Sequence, residues 1–162
     1  FDPVGLLLGG QLGDLLDQWD IPIVKPVGGH AIFLDAKRFY PQVPQSAFPG
    51  QTLAAELYLD SGLRAMERGV VSAGRDPETG DHRYPKLELT RLTIPRRVYT
   101  QSHIDYVAEA VIGVAGLREQ LRGYRIVKAP AVLRHFTALF EPLAASATML
   151  TMMKSASAPA DA

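Results

Sequence analysis

The chain has 162 residues, 47% of them apolar, enough for one domain with a hydrophobic core. Lysine plus arginine and aspartate plus glutamate both number 17, and a formal charge of zero argues against a broad electrostatic grip on nucleic acid or an anionic membrane. Without cysteine there is no disulfide framework, no thiolate zinc site and no cysteine nucleophile, so the cytoplasm is the simplest expected location.

The opening segment "VGLLLGG" lacks the basic flank and cleavage site of a secretory signal, and no apolar run approaches the roughly 18 residues of a membrane span. The chain opens on Phe1 rather than Met, so a fragment or processed product is expected. Leu8, Leu12, Leu15, Leu16 and Trp19 recur at spacings of three and four. That predicts a helix within residues 1–20, against the cost of Gly9, Gly10 and Gly13. "IPIVKPVGGHAIFLDA" predicts two short extended pieces, 21–25 and 30–35, reversed at Pro-Val-Gly-Gly into a hairpin.

"PGQTLAAELYLDSG" has proline at its start and glycine at its end, predicting a helix over about 50–61 with Leu53, Ala54 and Leu57 inward. Residues 63–74 predict a strand, "GRDPETGDHRYP" a loop, and 87–94 a second strand antiparallel to the first. Ile104, Val107, Ala108, Val111, Ile112 and Ala115 trace a helical seam, started by a capping box of Ser102 and Asp105. Two further extended pieces are expected at 124–128 and 131–140, followed by a loose tail over 143–162. The order predicts an α+β fold with helices packed on a mostly antiparallel sheet.

In "LELTRLTIPRR" a period of two puts Arg91 and Thr93 on one strand face and Leu92 and Ile94 on the other, so one face is core and one a candidate site. A guanidinium on a rigid strand offers a planar fork for a carboxylate; a structural ion pair or a solvated face accounts for the same residue. Pro95 ends the strand, leaving Arg96 and Arg97 as surface charges. His103 fits a helix end, and His30, after Gly28 and Gly29, fits a half-buried imidazole. In "LRHFTALF" strand alternation sets His135 on one face and Phe136 on the other, suiting either a pocket wall or core packing. The glycine pairs lack a phosphate-loop pattern, His, Asp and Glu are too scattered for a metal site, and no GxSxG elbow is present.

Four blocks carry a resemblance: "PIVKPVGGHAIFLDA", "FPGQTLAAELYLDSGLRAMERGVVSAGRDPETG", "LELTRLTIPRRVYTQSHIDYVAEA" and "VLRHFTALF". Over residues 21–142 the chain resembles the C-terminal part of the aromatic amino acid β-eliminating lyases, a family that contains tyrosine phenol-lyases and tryptophan indole-lyases. Residues 1–20 fit that family poorly. The resemblance implies the small domain of a fold type I pyridoxal-phosphate enzyme, closing over an aromatic amino acid substrate. It implies that Arg91 grips the substrate α-carboxylate, that Arg68 of "MERG" contacts a phenolic oxygen, and that His135 and Phe136 shape the ring pocket.

Arg68 favours tyrosine, because the indole-lyases are apolar there. His135 favours tryptophan, because the phenol-lyases read "RFFTA" where this chain reads "RHFTA". The "MERGVVSAGR" and "IPRRVYT" blocks tip the choice to tyrosine. The family's Schiff-base lysine, phosphate-gripping residues and cation ligands lie upstream of the blocks matched here, and Lys25, Lys37, Lys86, Lys128 and Lys154 match none of them. The expectation is therefore a C-terminal lyase segment working with a separate large-domain chain or in a homo-oligomer. A truncated, non-catalytic binding remnant is the alternative from another class; a different fold type I lyase or an aldolase is a third.

Overall fold

Helix α1 (Pro3–Gln18) opens the chain in the computed structural model, which describes residues 3–95, 97–130 and 133–143. Leu8, Leu12 and Leu16 are buried along it. Burying each leucine contributes about 2 kcal/mol, which exceeds the roughly 1 kcal/mol that each helical glycine costs. Gly9 also has a packing reason, since a β-carbon there would lie 2.5 Å from the Gly28 carbonyl oxygen. Gly29 also serves close backbone approach, since a β-carbon there would lie 3.1 Å from the Leu6 nitrogen, whereas one on Gly28 would meet only ordinary contacts. Trp19 falls beyond the helix and is 61% exposed, so it does not continue the leucine stripe as expected.

The predicted hairpin survives as a single antiparallel bridge, Ile23 to Leu34, leading into β1 (Ala31–Asp35). Short helix α2 (Ala36–Phe39) follows, its first turn capped by the Asp35 carboxylate, which accepts from the Arg38 N–H at 3.1 Å. Helix α3 (Pro49–Ser61) runs within a residue of its predicted bounds and fully buries Leu53 and Leu57. The strand expected over 63–74 is shorter: β2 covers only Met66–Arg68, and helical turn α4 (Val70–Ala73) takes the rest. The residue pattern could not show this, because the turn is held by carboxylates from Glu67 and Glu88 rather than by local propensity.

Strand β3 (Leu89–Thr93) is the middle strand of a three-stranded sheet ordered β1-β3-β2, antiparallel on both sides. Helix α5 (Gln101–Gly116) carries the predicted seam, with Ile104, Val107, Ala108, Val111 and Val114 buried. Its capping box, however, joins Thr100 and His103 rather than Ser102 and Asp105. The His103 Nδ1 accepts the Thr100 N–H at 3.2 Å, so this imidazole has the helix-end role its position suggested. His30 is exposed rather than half-buried.

Strand β4 (Tyr124–Lys128) pairs antiparallel with β5 (Leu139–Pro142) in a separate two-stranded sheet. The extended piece expected over 131–140 is replaced by helical turn α6 (Arg134–Thr137) before β5; residues 131 and 132 lie outside the described residues. From residue 144 onward the expected tail also lies outside them. The fold is α+β, with small antiparallel sheets under helices.

One core joins α1, α3 and α5 to the inner face of the three-stranded sheet, through Ile32, Leu34, Leu92 and Ile94. A smaller cluster of Phe48, Val70 and Val71 sits under Ile126 and Phe140 of the second sheet. Among the described residues no helix is long and apolar enough to cross a membrane.

Two glycines separate packing from propensity. A β-carbon on Gly69 would lie 2.1 Å from a Glu88 carboxylate oxygen, whereas one on Gly10 meets nothing within 4 Å. Gly69→Ala is expected to destabilise the chain by about 1–3 kcal/mol, and Gly10→Ala to stabilise it by about 0.5–1 kcal/mol, in urea unfolding. Equal effects would remove Glu88 as the cause.

Candidate functional site

The pleat of β3 sorts its residues cleanly. Thr90, Leu92 and Ile94 are buried, while Leu89 and Arg91 are half-buried and Thr93 is exposed. Register places Arg91 opposite Phe33 on one side and opposite Met66 on the other, and Leu89 opposite Arg68. Arg68 is therefore the diagonal neighbour of Arg91 on the same face, a relation that puts backbones about 7–8 Å apart.

Neither guanidinium makes a hydrogen bond or an ion pair with another described residue. The nearest acid on that face, Asp35, is diagonal to Arg91 on β1, and its Oδ1 accepts from the Arg38 N–H at the start of α2. The result is an open sheet face with two cations, Phe33 and Met66, and, among the described residues, no acid engaged with either cation.

His135 and Phe136 stand on α6, their rings 4.1 Å apart between centroids and tilted by 44°. Strand alternation predicted that they point to opposite faces. A helical turn instead brings them side by side, with Phe136 68% exposed. Both line an open cleft of about 450 Å³ between α3, β2 and α6, whose other walls include Gln51, Tyr58, Arg64 and Met66. Met66 links the two regions, lining the cleft while lying opposite Arg91 in the sheet. The four residues singled out from sequence thus form two pairs, a cationic pair on the sheet and an aromatic pair in the cleft, and not one enclosed pocket. Arg97 is exposed, and Arg96 lies outside the described residues.

Three charged side chains that hold this region were not singled out from the sequence. Glu88 is fully buried; its carboxylate accepts from the Val70 N–H at 2.8 Å, the Gln45 side-chain amide at 3.1 Å and the Gly50 N–H at 3.4 Å. Glu67 accepts from the Ser72 N–H at 2.8 Å and its hydroxyl at 2.6 Å, and from the Val71 N–H at 3.1 Å. Together they satisfy the free N–H groups at the start of α4. Arg134, only 4% exposed, closes the other end of that turn by donating to the carbonyls of Val70, Val71 and Gly74. The one available signal was "LELT", where an acid interrupts an apolar alternation.

Comparison with known proteins places these residues in context. The sequence pattern of the family described as Beta-eliminating lyase matches residues 8–110, more than half of the chain. The chain belongs to the β-eliminating lyase family.

Among curated relatives in that family, the chain is 65% identical over 130 residues to a tyrosine phenol-lyase of Nostoc punctiforme, an alignment covering 80% of this chain and 28% of the relative. It is 61% identical over 132 residues to a tyrosine phenol-lyase of Symbiobacterium sp., covering 82% and 29%. A third tyrosine phenol-lyase, from Pasteurella multocida, is 57% identical over 133 residues, again covering 82% and 29%. The chain spans less than a third of the length of these relatives.

The β-eliminating lyase family implies pyridoxal phosphate, whose aldehyde needs a lysine amine beside a cavity. The described residues do not fit that need. Lys25 lines a separate hollow but is solvent-exposed and paired with Asp17 at 2.5 Å, Lys37, Lys86 and Lys128 are exposed, and no lysine lines the cleft beside His135 and Phe136. No anchor for the cofactor is present among them.

Burial pushes the Glu88 carboxyl above the usual carboxylate range, and the charge of Glu67 adds to this while the hydrogen bonds oppose it. A raised folded value means that stability from this group is present below the ordinary carboxylate range and is lost as pH rises through the raised value. Glu88→Gln holds the group neutral. The stability difference between wild type and variant is therefore expected to shift toward the variant as pH rises through and above the ordinary carboxylate range in urea unfolding, and a shift toward wild type would contradict the burial argument.

Proposed function

We propose that this chain is the substrate-contacting segment of a tyrosine phenol-lyase-like β-eliminating lyase, equivalent to the small domain of a fold type I pyridoxal-phosphate enzyme. The reaction would convert L-tyrosine and water to phenol, pyruvate and ammonia, in the cytoplasm. The observation that carries the reading is the pair Arg91 and Arg68, on one open sheet face where no acid among the described residues engages either. Such forks are costly to leave without a partner once water is displaced, and an amino acid that is anionic at one end and phenolic at the other supplies both partners.

Arg91, fixed by hydrogen-bonded strands on both sides, is the fork for the α-carboxylate. Arg68 takes the phenolic oxygen, and His135 and Phe136 bound the ring. The role is positional: it orients the substrate and, when the cleft closes, excludes water from it. The cofactor and its lysine belong to the part of the enzyme that these residues face, in the same chain or in a partner copy. Supporting the choice of tyrosine are Arg68, which an indole ring could not satisfy, and the tyrosine phenol-lyase relatives. His135 is what favours the second reading, an indole-lyase acting on L-tryptophan.

Two outcomes test this. When the chain is combined with the cofactor-bearing portion of a related tyrosine phenol-lyase, pyruvate release from L-tyrosine is expected. Arg91→Ala is expected to raise KM by about 100-fold, as for a truncated partner of a charged hydrogen-bonded pair. Faster turnover of L-tryptophan than of L-tyrosine would reverse the assignment based on Arg68, and an unchanged KM in Arg91→Ala would remove the carboxylate role.

A further inference from the structure

The turn that carries His135 and Phe136 is too short to hold itself. Helix α6 has four residues, begins after Leu133 at φ 54°, and has Phe136 and Ala138 among its hydrogen-bonded amides, to Leu133 and Arg134. An isolated turn of this length is unstable in water. What fixes it is Arg134, whose guanidinium is sunk against the end of α4. It donates to the Val71 carbonyl at 2.9 Å, to the Gly74 carbonyl at 2.9 Å, to the Val70 carbonyl, and to His82 Nδ1 at 2.7 Å.

The last contact is unlike the others. A guanidinium can only donate, so His82 Nδ1 must be bare and the proton must sit on Nε2. A second proton on the ring would turn acceptor into donor and set two cations face to face. The other groups around His82 favour the neutral ring: Arg75 adds positive charge, Asp81 opposes it, and Tyr84 and Phe48 stack edge-on against the imidazole at 6.3 and 5.4 Å. Arg134 itself also faces Arg75, Glu67 and Tyr84.

We propose that Arg134 and His82 form a positioning lock on the turn that presents His135 and Phe136, and that protonation of His82 Nδ1 opens it. The lock is read from this chain's own contacts; only the consequence, that an opened lock displaces the ring-binding residues, rests on the proposed function. Burial and the nearby Arg134 charge hold the His82 imidazole below the usual histidine range, so the lock is closed at neutral pH and is lost as pH falls through that lowered value.

The test is nuclear magnetic resonance of the whole chain across an acid titration, which needs no enzymatic activity and so fails or succeeds independently of the lyase reading. Expected in the wild type are a bare His82 Nδ1, a His82 midpoint below that of an ordinary histidine, and Phe136 and Ala138 amides that shift with the same midpoint. Their exchange with solvent should quicken roughly tenfold below it, the loss of one strong hydrogen bond. In His82→Gln, whose amide oxygen can accept from Arg134 at any pH, the step should disappear from Phe136 and exchange should stay slow. In His82→Ala exchange should be fast throughout. A protonated Nδ1 in the neutral ring, or a Phe136 step that persists in His82→Gln and so reports His135, would overturn the proposal; the tautomer decides it in wild type even if the variants do not fold.

Discussion

The pleat of β3 is the constraint on which the rest turns. Because β3 is paired on both sides, a one-residue slip would bring Arg91 into the core and put Leu92 and Thr90 on the open face, at the cost of two ladders. The buried face leaves little freedom: Leu92 and Ile94 join the main core, and the Thr90 hydroxyl donates to the Gly50 carbonyl at 2.9 Å. Arg91 is therefore held outward by what its neighbours bury. Its own side chain adds nothing to the fold that the described contacts reveal.

The second requirement is unusual for a chain with so ordinary a core. Two buried carboxylates, Glu67 and Glu88, end on the backbone of a four-residue turn, and a buried guanidinium ends on its carbonyls. Each charge would be expensive alone, but each is spent on backbone groups that secondary structure leaves unpaired. This pins β2, and with it Arg68 and Met66, to α3 and α6. The sheet face and the aromatic cleft are thereby held in fixed relation although no single cavity contains both.

Much of this was legible in the residues, for a physical reason in each case. The helices over 49–61 and 101–116 rest on apolar spacing and end signals, which act locally, and both were anticipated closely. The face assignment of Arg91 followed from the period of a strand. What was not legible depends on contacts distant in sequence. Arg134 reaches back over sixty residues to α4, so "LRHF" folds as a turn although its alternation suits a strand. Glu67 and Glu88 likewise override strand propensity at 70–73. The Thr100–His103 box prevailed over Ser102–Asp105 because the helix starts earlier than its apolar seam. Family resemblance supplied the remainder, for nothing in local spacing says whose carboxylate an arginine would hold.

On the proposed function, Arg91 is the fork for the acid end of an amino acid. The most direct measurement is the Nε–H resonance of Arg91 in the isolated chain, followed while L-tyrosine or its decarboxylated counterpart tyramine is added. Expected is a freely exchanging guanidinium that responds to L-tyrosine and not to tyramine. An Nε–H already protected without ligand, or an equal response to both compounds, would contradict it.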